Sequence, residues 1–314
     1  MCTTCGCGDE AGTRISNLAG ELQAPGQGPL HSHTDEHGRT YTHEHPDSHA
    51  HTHVHADSHD HHHGHSDGHH HAAPGTETIL LEQSLLAKND LLAATNRGWL
   101  AGRGVRAFNV MSSPGAGKTT LLVRTLTELG GRLNAGVIEG DQETSLDADR
   151  IRATGRPVIQ INTGAGCHLD AAMLRHGLDA LSPEPGSTVF IENVGNLVCP
   201  ALFDLGETAK VVIVSVTEGD DKPQKYPHMF MAADLVIVNK SDLLPYVEFD
   251  VDECLRRIRQ INPRAEFLTL SATTGEGLAD WYGWLDRATS PAAAAPTPGA
   301  ARSEPLTGSL TEAH

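Results

Sequence analysis

From about residue 76 onward, continuous apolar runs alternate with stretches that are apolar at every third or fourth position. The runs at 135–138, 158–161, 188–191, 211–216, 235–238 and 267–270 carry almost no polar interruption. A strand with one wet face would alternate with period two, so these read as strands buried on both faces. Helical periodicity marks 118–129, 169–181, 251–261 and 278–287. An earlier helix is expected from near Thr76 to about Arg97, on the stripe Ile79, Leu80, Leu85, Leu86, Leu91 and Leu92. A turn holding Gly98, Gly102 and Gly104 then leads into a strand over 105–111. Met229, Met231 and Cys254 read as core residues. Strands alternating with helices predict an α/β fold, a mostly parallel sheet with helices on both faces.

The two ends of the chain lack this pattern. Residues 1–75 hold almost no large apolar side chains and are expected to remain disordered. Residues 288–314 are rich in Ala, Pro, Thr and Ser and read as a disordered tail. The domain organisation expected is a cysteine motif at 1–8, a linker at 9–30, a histidine-rich tract at 31–71 and a folded domain at 76–287.

Net charge is −17 with histidine neutral, and residues 1–75 carry ten acidic side chains against two arginines. That balance excludes a general nucleic-acid binder, which needs a basic face, and suits a cation binder. The longest apolar run is far too short to span a bilayer, so no membrane partner is expected. The first residues are acidic and have no apolar signal core, so the cytoplasm is the expected compartment. There the six cysteines would be reduced, and their clusters read as metal sites rather than disulfides.

The most specific chemistry lies at Ser112-Ser-Pro-Gly-Ala-Gly-Lys118-Thr119-Thr120, placed between a strand and a helix. This is the P-loop context: backbone amides at a helix N-terminus cradle phosphates. Ser113, Gly115, Ala116, Gly117 and Thr120 would contribute to that cradle. Lys118 would reach the β- and γ-phosphates, and the Thr119 hydroxyl would ligate Mg²⁺. Ser112 stands where the pattern usually has its first glycine. Asn239-Lys240-Ser241-Asp242, at the end of another strand, matches the guanine-reading pattern. The Asp242 carboxylate can accept from guanine N1–H and its exocyclic amine, a pair that adenine lacks. Asn239 and Lys240 would brace that loop, and Ser271 and Ala272 would contact the base from the end of the last strand. GTP is therefore the expected nucleotide. Asp141 is the candidate for positioning water or acting on the Mg²⁺ side. Glu192 stands where a metal-side carboxylate is expected after a strand, and Gly195 could sense the γ-phosphate through its N–H.

Three groups of soft ligands follow. Cys2, Cys5 and Cys7 can wrap one soft or borderline ion. Seventeen of the 21 histidines lie between residues 31 and 71. The tract includes His31, His33, His43, His45, His49, His51, His53, His55, His59, His61, His62, His63, His65, His69, His70 and His71, without fixed spacing. Imidazole suits Ni²⁺, Zn²⁺ and Cu²⁺, so the tract reads as a metal buffer or store. Cys167, His168 and Cys199 form a third group, expected at the carboxyl end of the sheet. Cys199 lies close behind Gly195, on the segment expected to move with the γ-phosphate.

Taken together, the Cys-x-x-Cys-Gly-Cys start, the histidine tract, the P-loop, Glu-Gly-Asp-Gln-Glu-Thr, Gly-Ala-Gly-Cys-His-Leu-Asp, Glu-Asn-Val-Gly-Asn-Leu-Val-Cys-Pro and Asn-Lys-Ser-Asp resemble the HypB family of hydrogenase nickel-incorporation GTPases. The resemblance covers nearly the whole chain to about residue 287. It implies a SIMIBI-class P-loop GTPase that forms a GTP-dependent homodimer and assists nickel insertion into [NiFe]-hydrogenase. It implies a high-affinity nickel site at Cys2, Cys5 and Cys7, and a nickel or zinc site at Cys167, His168 and Cys199. Its implied partners are a small zinc-containing accessory protein of the HypA type and the hydrogenase large subunit. A urease-accessory GTPase is the nearest alternative, but the Cys-Pro-His motif expected of it is absent. A non-enzymatic nickel store is the alternative of a different class.

Overall fold

The computed structural model describes residues 14–17, 30–34, 40–44, 74–142 and 146–289. The first elements are β1 (Arg14–Asn17), β2 (Leu30–Thr34), β3 (Thr40–Glu44) and the long helix α1 (Pro74–Arg103). Then follow β4 (Arg106–Ser112), α2 (Lys118–Leu129), β5 (Ala135–Asp141), α3 (Leu146–Arg152), β6 (Val158–Asn162), α4 (Ala171–Leu181) and β7 (Thr188–Glu192). The second half contains α5 (Cys199–Leu202), β8 (Ala209–Ser215), α6 (Lys222–Lys225), α7 (Pro227–Met231) and β9 (Leu235–Asn239). A 3-10 turn (Ser241–Tyr246), α8 (Val251–Ile261), β10 (Glu266–Thr269) and α9 (Leu278–Thr289) complete it.

Seven strands form a parallel sheet in the order β6-β5-β7-β4-β8-β9-β10, and β1 adds antiparallel to β6 at one edge. The expectation of a mostly parallel sheet holds. The chain runs outward from β4 to β5 and β6, returns to β7 beside β4, then continues on the other side with β8, β9 and β10. Their carboxyl ends around β4 are where an open α/β sheet binds ligands.

Alternate strand positions feed the two faces. Phe108 and Val110 of β4 point toward α2, α3 and α9, where Leu121, Leu122, Ile151, Trp281 and Trp284 are buried. Ala107 and Met111 point the other way. That face is covered by α1 and α4 in one cluster and by α7 and α8 in another. Full burial of a Leu or Phe side chain contributes about 2 kcal/mol, so helices on both faces are what hold strands this apolar in place. The Trp281 indole is fully buried and donates to Thr125 Oγ1 at 2.9 Å, so its polar atom is satisfied.

The structure corrects several sequence expectations. Gly98 and Gly102 lie inside α1, and only Gly104 turns the chain, at φ 65°. Burial of Leu100 against β4 and α4 outweighs the poor helix propensity of the glycines. Asp141 and Glu192 do not follow their strands but end them. Met231 is 58% exposed, not core, whereas Met229 and Cys254 are fully buried. Leu169 precedes α4 rather than opening it, because Asp170 caps the helix by accepting from Met173 N. Strands β1, β2 and β3 fall within segments expected to be linker and disordered tract. Among the described residues, no helix is long and apolar enough to cross a membrane.

Candidate nucleotide and metal sites

The loop between β4 and α2 bends back on itself at two glycines, Gly115 (φ 74°) and Gly117 (φ 101°). Gly117 is required twice over. Its dihedral suits glycine, and a Cβ there would stand 2.4 Å from the Asn239 side-chain nitrogen. Ser112, by contrast, sits in the strand without a positive φ, so its position places no demand for glycine. Its hydroxyl accepts from Lys118 Nζ at 3.1 Å and donates to the Ser113 carbonyl at 2.6 Å. Lys118 is only 9% exposed. Burial lowers its pKa, and the negative charges of Glu192, Asp147, Glu139 and Glu218 pull it back up. The buried Ser113 hydroxyl has no hydrogen-bond partner.

Two carboxylates face this lysine. Glu139 of β5 and Glu192 of β7 are register partners in neighbouring parallel strands. Both are buried, and each has one carboxylate oxygen without a hydrogen-bond partner among the described residues. Burial pushes Glu139 up to about 9, helped by the Glu192 and Asp141 charges. Burial also pushes Glu192 up to about 7, against the pull of Lys118 and the Thr119 hydroxyl. Thr119 Oγ1 donates to Glu192 Oε1 at 2.6 Å. Unpartnered buried carboxylate oxygens beside a threonine hydroxyl are a donor set that fits Mg²⁺, a hard cation preferring oxygen.

Glu139 was not singled out from the sequence as a site residue; Asp141 was. The charge of Glu139 acts on Lys118, and that of Asp141 acts on Glu139. No local spacing marks Glu139, because its partner is 53 residues away and adjacent only through the β5–β7 pairing.

The loops after β9 and β10, expected to read the base, converge on the P-loop. Asn239 donates to the Ala116 carbonyl at 2.8 Å and accepts from Ala272 N at 3.0 Å, so one side chain ties three loops together. Lys240, in a left-handed conformation at φ 64°, donates to the Gly115 carbonyl at 2.8 Å. Asp242 accepts from the Ser271 hydroxyl. The Thr120 hydroxyl is taken by Arg150 of α3 at 3.1 Å.

The third group of soft ligands does assemble. One ligand atom from each of Cys167, His168 and Cys199 lies within 4.8 Å of the others. The two sulfurs are 2.9 Å apart, and Cys167 Sγ is 3.7 Å from His168 Nδ1. The His168 ring lies tilted against Phe203, with centroids 3.9 Å apart and planes at 34°. Burial lowers the pKa of His168, which favours the neutral imidazole a metal needs. Two thiols and an imidazole suit Ni²⁺ or Zn²⁺. Cys2, Cys5, Cys7 and the histidines from His45 to His71 lie outside the described residues; His31, His33 and His43 lie on β2 and β3.

The metal group and the nucleotide loops are physically joined. Asn193, next to Glu192, accepts from Leu169 N at 3.1 Å and Val194 N at 3.0 Å. Asn196 donates to the Cys167 carbonyl at 3.3 Å. Between them, Gly195 lies against the P-loop so closely that a Cβ would meet the Pro114 backbone at 2.9 Å.

This arrangement has known counterparts. Residues 106–269 match the model of the CobW/HypB/UreG nucleotide-binding domain. A hydrogenase maturation factor HypB from Rhizobium leguminosarum is 60% identical over 208 residues, covering 66% of this chain and 70% of that protein. One from Cupriavidus necator is 45% identical over 328 residues, covering 91% of this chain and 88% of its own length. The crystal structure of HypB from Helicobacter pylori in complex with nickel superposes with a TM-score of 0.60 at 39% identity, covering 64% of this chain and 95% of that one. The domain match spans more than half the chain, and the likeness to the Cupriavidus protein extends over nearly its full length. The chain belongs to the CobW/HypB/UreG family of nucleotide-binding proteins, among its HypB hydrogenase maturation factors.

Proposed function

We propose that the chain is a GTP-hydrolysing metallochaperone that carries nickel and delivers it to [NiFe]-hydrogenase under nucleotide control. The observation that carries this reading is one short segment with a site at each end. At Glu192 it meets the P-loop threonine, and at Cys199 it supplies a soft ligand beside Cys167 and His168. A nucleotide that moves the segment changes the metal site, and a metal bound there resists the movement.

In the reaction, water attacks the γ-phosphate of GTP. The Lys118 ammonium neutralises charge developing on the β- and γ-phosphates, and Gly115 to Gly117 offer backbone amides to them. Thr119, Glu192 and Glu139 would hold Mg²⁺, which supplies further charge neutralisation when bound. Asp141 orients the attacking water, and the Gly195 N–H reads the γ-phosphate. Asp242, Asn239, Lys240, Ser271 and Ala272 select guanine. Such sites are slow without a partner. In this reading the core cluster takes nickel or zinc as cargo, Cys2, Cys5 and Cys7 form a second nickel site, and the histidine tract buffers metal. The chain works in the cytoplasm as a GTP-dependent homodimer, with a HypA-type zinc accessory protein and the hydrogenase large subunit as partners.

The test is a nickel titration of the full chain with Cys2, Cys5 and Cys7 replaced by serine, with Mg²⁺ and either GDP or a non-hydrolysable GTP analogue. Thiolate-to-nickel absorption then reports the core cluster. A difference in nickel affinity between the two nucleotides is expected; equal affinity and equal spectra would refute nucleotide control.

A further inference from the structure

Helix α1 belongs to neither site, yet two of its buried asparagines hold both chain segments that carry the core metal ligands. Asn89 and Asn96 are seven residues apart and so share a face of the helix. They are 5% and 1% exposed. Asn89 Oδ1 accepts from Ala171 N at 2.9 Å, and its Nδ2 donates to the Asp204 carbonyl at 2.7 Å. Asn96 Nδ2 donates to the Ala171 carbonyl at 2.8 Å and to the Leu205 carbonyl at 3.1 Å. Ala171 follows His168 by three residues, and Asp204 and Leu205 follow Cys199 by five and six. Each asparagine therefore bridges the Cys167–His168 segment to the Cys199 segment.

We infer that Asn89 and Asn96 are positioning residues for the core metal group, setting the separation of its two ligand-bearing segments. Metal–ligand distances tolerate only about 0.2 Å of error, so ligands on two separate loops need a common support. The two amides supply that support. On the other side, Asn193 and Asn196, on the stretch between Glu192 and Cys199, bond the Cys167–His168 segment. One side of the metal group thus rests on a long helix, while the other follows the switch. With both sides mobile, a displacement at Glu192 would carry the cluster along as a unit. With α1 fixed, the same displacement alters the spacing of Cys199 from Cys167 and His168.

The inference rests on the reading of Cys167, His168 and Cys199 as a metal site, and the experiment separates the two. The full chain is used with Cys2, Cys5 and Cys7 changed to serine. Cys254, buried and pushed up to about 12, then contributes no thiolate. Free Ni²⁺ is set by a chelator buffer, and thiolate-to-nickel absorption is recorded in the parent, in Asn96→Asp and in Asn89→Ala. Asn96→Asp keeps size and shape but removes the donor of both bonds. Asn89→Ala removes the other pair at a less buried position, should the first variant fail to fold. GDP affinity and melting temperature are measured alongside. The expected result is a nickel affinity about tenfold or more weaker, the scale of one or two buried hydrogen bonds. The absorption band shifts, and GDP affinity stays unchanged. Arg97→Ala, which removes only an exposed ion pair to Asp204, leaves the metal site intact. Parent affinity and band shape in both asparagine variants would overturn the inference. So would a loss of nickel affinity that merely parallels lost GDP affinity and melting temperature. A parent without any thiolate band would instead overturn the metal reading itself, and the inference with it.

Discussion

In the proposed function, Asp242 is the residue on which base choice turns. Its carboxylate offers two acceptors, matching the two donors of guanine, and Ser271 already donates to it from the neighbouring loop. Asp242→Asn replaces one acceptor with a donor. GTP affinity is expected to fall about a hundredfold or more, on the scale of leaving buried polar groups unpaired. Xanthosine triphosphate, which has a carbonyl where guanine has its amine, should bind the variant better than GTP does; competition titrations check both. Glu139 makes a second residue-scale prediction. Its pKa rises from 4.5 to about 9 in the folded chain, because burial and the facing Glu192 disfavour its charge. A carboxyl raised on folding favours the folded state below its unfolded value, and that advantage is lost as pH climbs through the folded value. The nucleotide-free and Mg²⁺-free chain should therefore lose melting temperature between about pH 5 and about pH 9. Glu139→Gln should flatten this profile and raise stability at the alkaline end. A parent profile that does not fall, or an unchanged slope in the variant, would contradict the assignment. The P-loop lysine and threonine, and the Asn-Lys-Ser-Asp motif that ends in Asp242, were legible because each is defined by spacing within a few residues. Glu139 was not, since nothing in its own neighbourhood separates it from Asp141.

At the scale of elements, the P-loop and the base loop are one packed unit. Gly117 lets the chain turn into α2 only because no side chain occupies the space where the Asn239 amide sits. Gly117→Ala must strain a φ of 101° and displace that amide, which also holds the Ala116 carbonyl and Ala272 N. The expected outcome is a loss of roughly 1–3 kcal/mol of stability, read in urea melts, with GTP affinity falling along with it. An unchanged affinity would mean the loop can open without Asn239. Periodicity found most helices and strands here, with most ends off by a residue or two and the end of β5 by three. It misjudged α1 at Gly98 and Gly102, where packing of Leu100 and Trp99 against α4 decides the matter. It also placed Met231 in the core, although this residue ends the short helix α7 and turns outward.

For the whole molecule, the discriminating question is whether nucleotide chemistry or mere metal capacity matters. Lys118→Ala removes the cation that would face the phosphates in the proposed function while leaving every cysteine and histidine in place. If the chain is a switch, cells carrying this variant should lose nickel-dependent hydrogenase activity to near the level of a deletion. A store should retain it, and retention would sink the proposed mechanism. Nickel content of the purified variant, expected to match the parent, checks that capacity itself is unchanged. The cluster of Cys167, His168 and Cys199 was partly legible as three soft ligands near the switch sequence. Its support by α1 was not, because Asn89 and Asn96 look like ordinary polar positions on a helix.

The sequence by itself determined the α/β class, the phosphate loop and the soft-ligand character of Cys167, His168 and Cys199, because each depends on residue type at short spacing or on the period of apolar positions. Only the tertiary structure decided which distant residues share a site. Sheet order set Glu139 beside Glu192, and helix packing set two asparagines across the metal-bearing segments. Such neighbours are chosen by the burial of strands and helices against one another, and that choice leaves no mark at the residues it brings together.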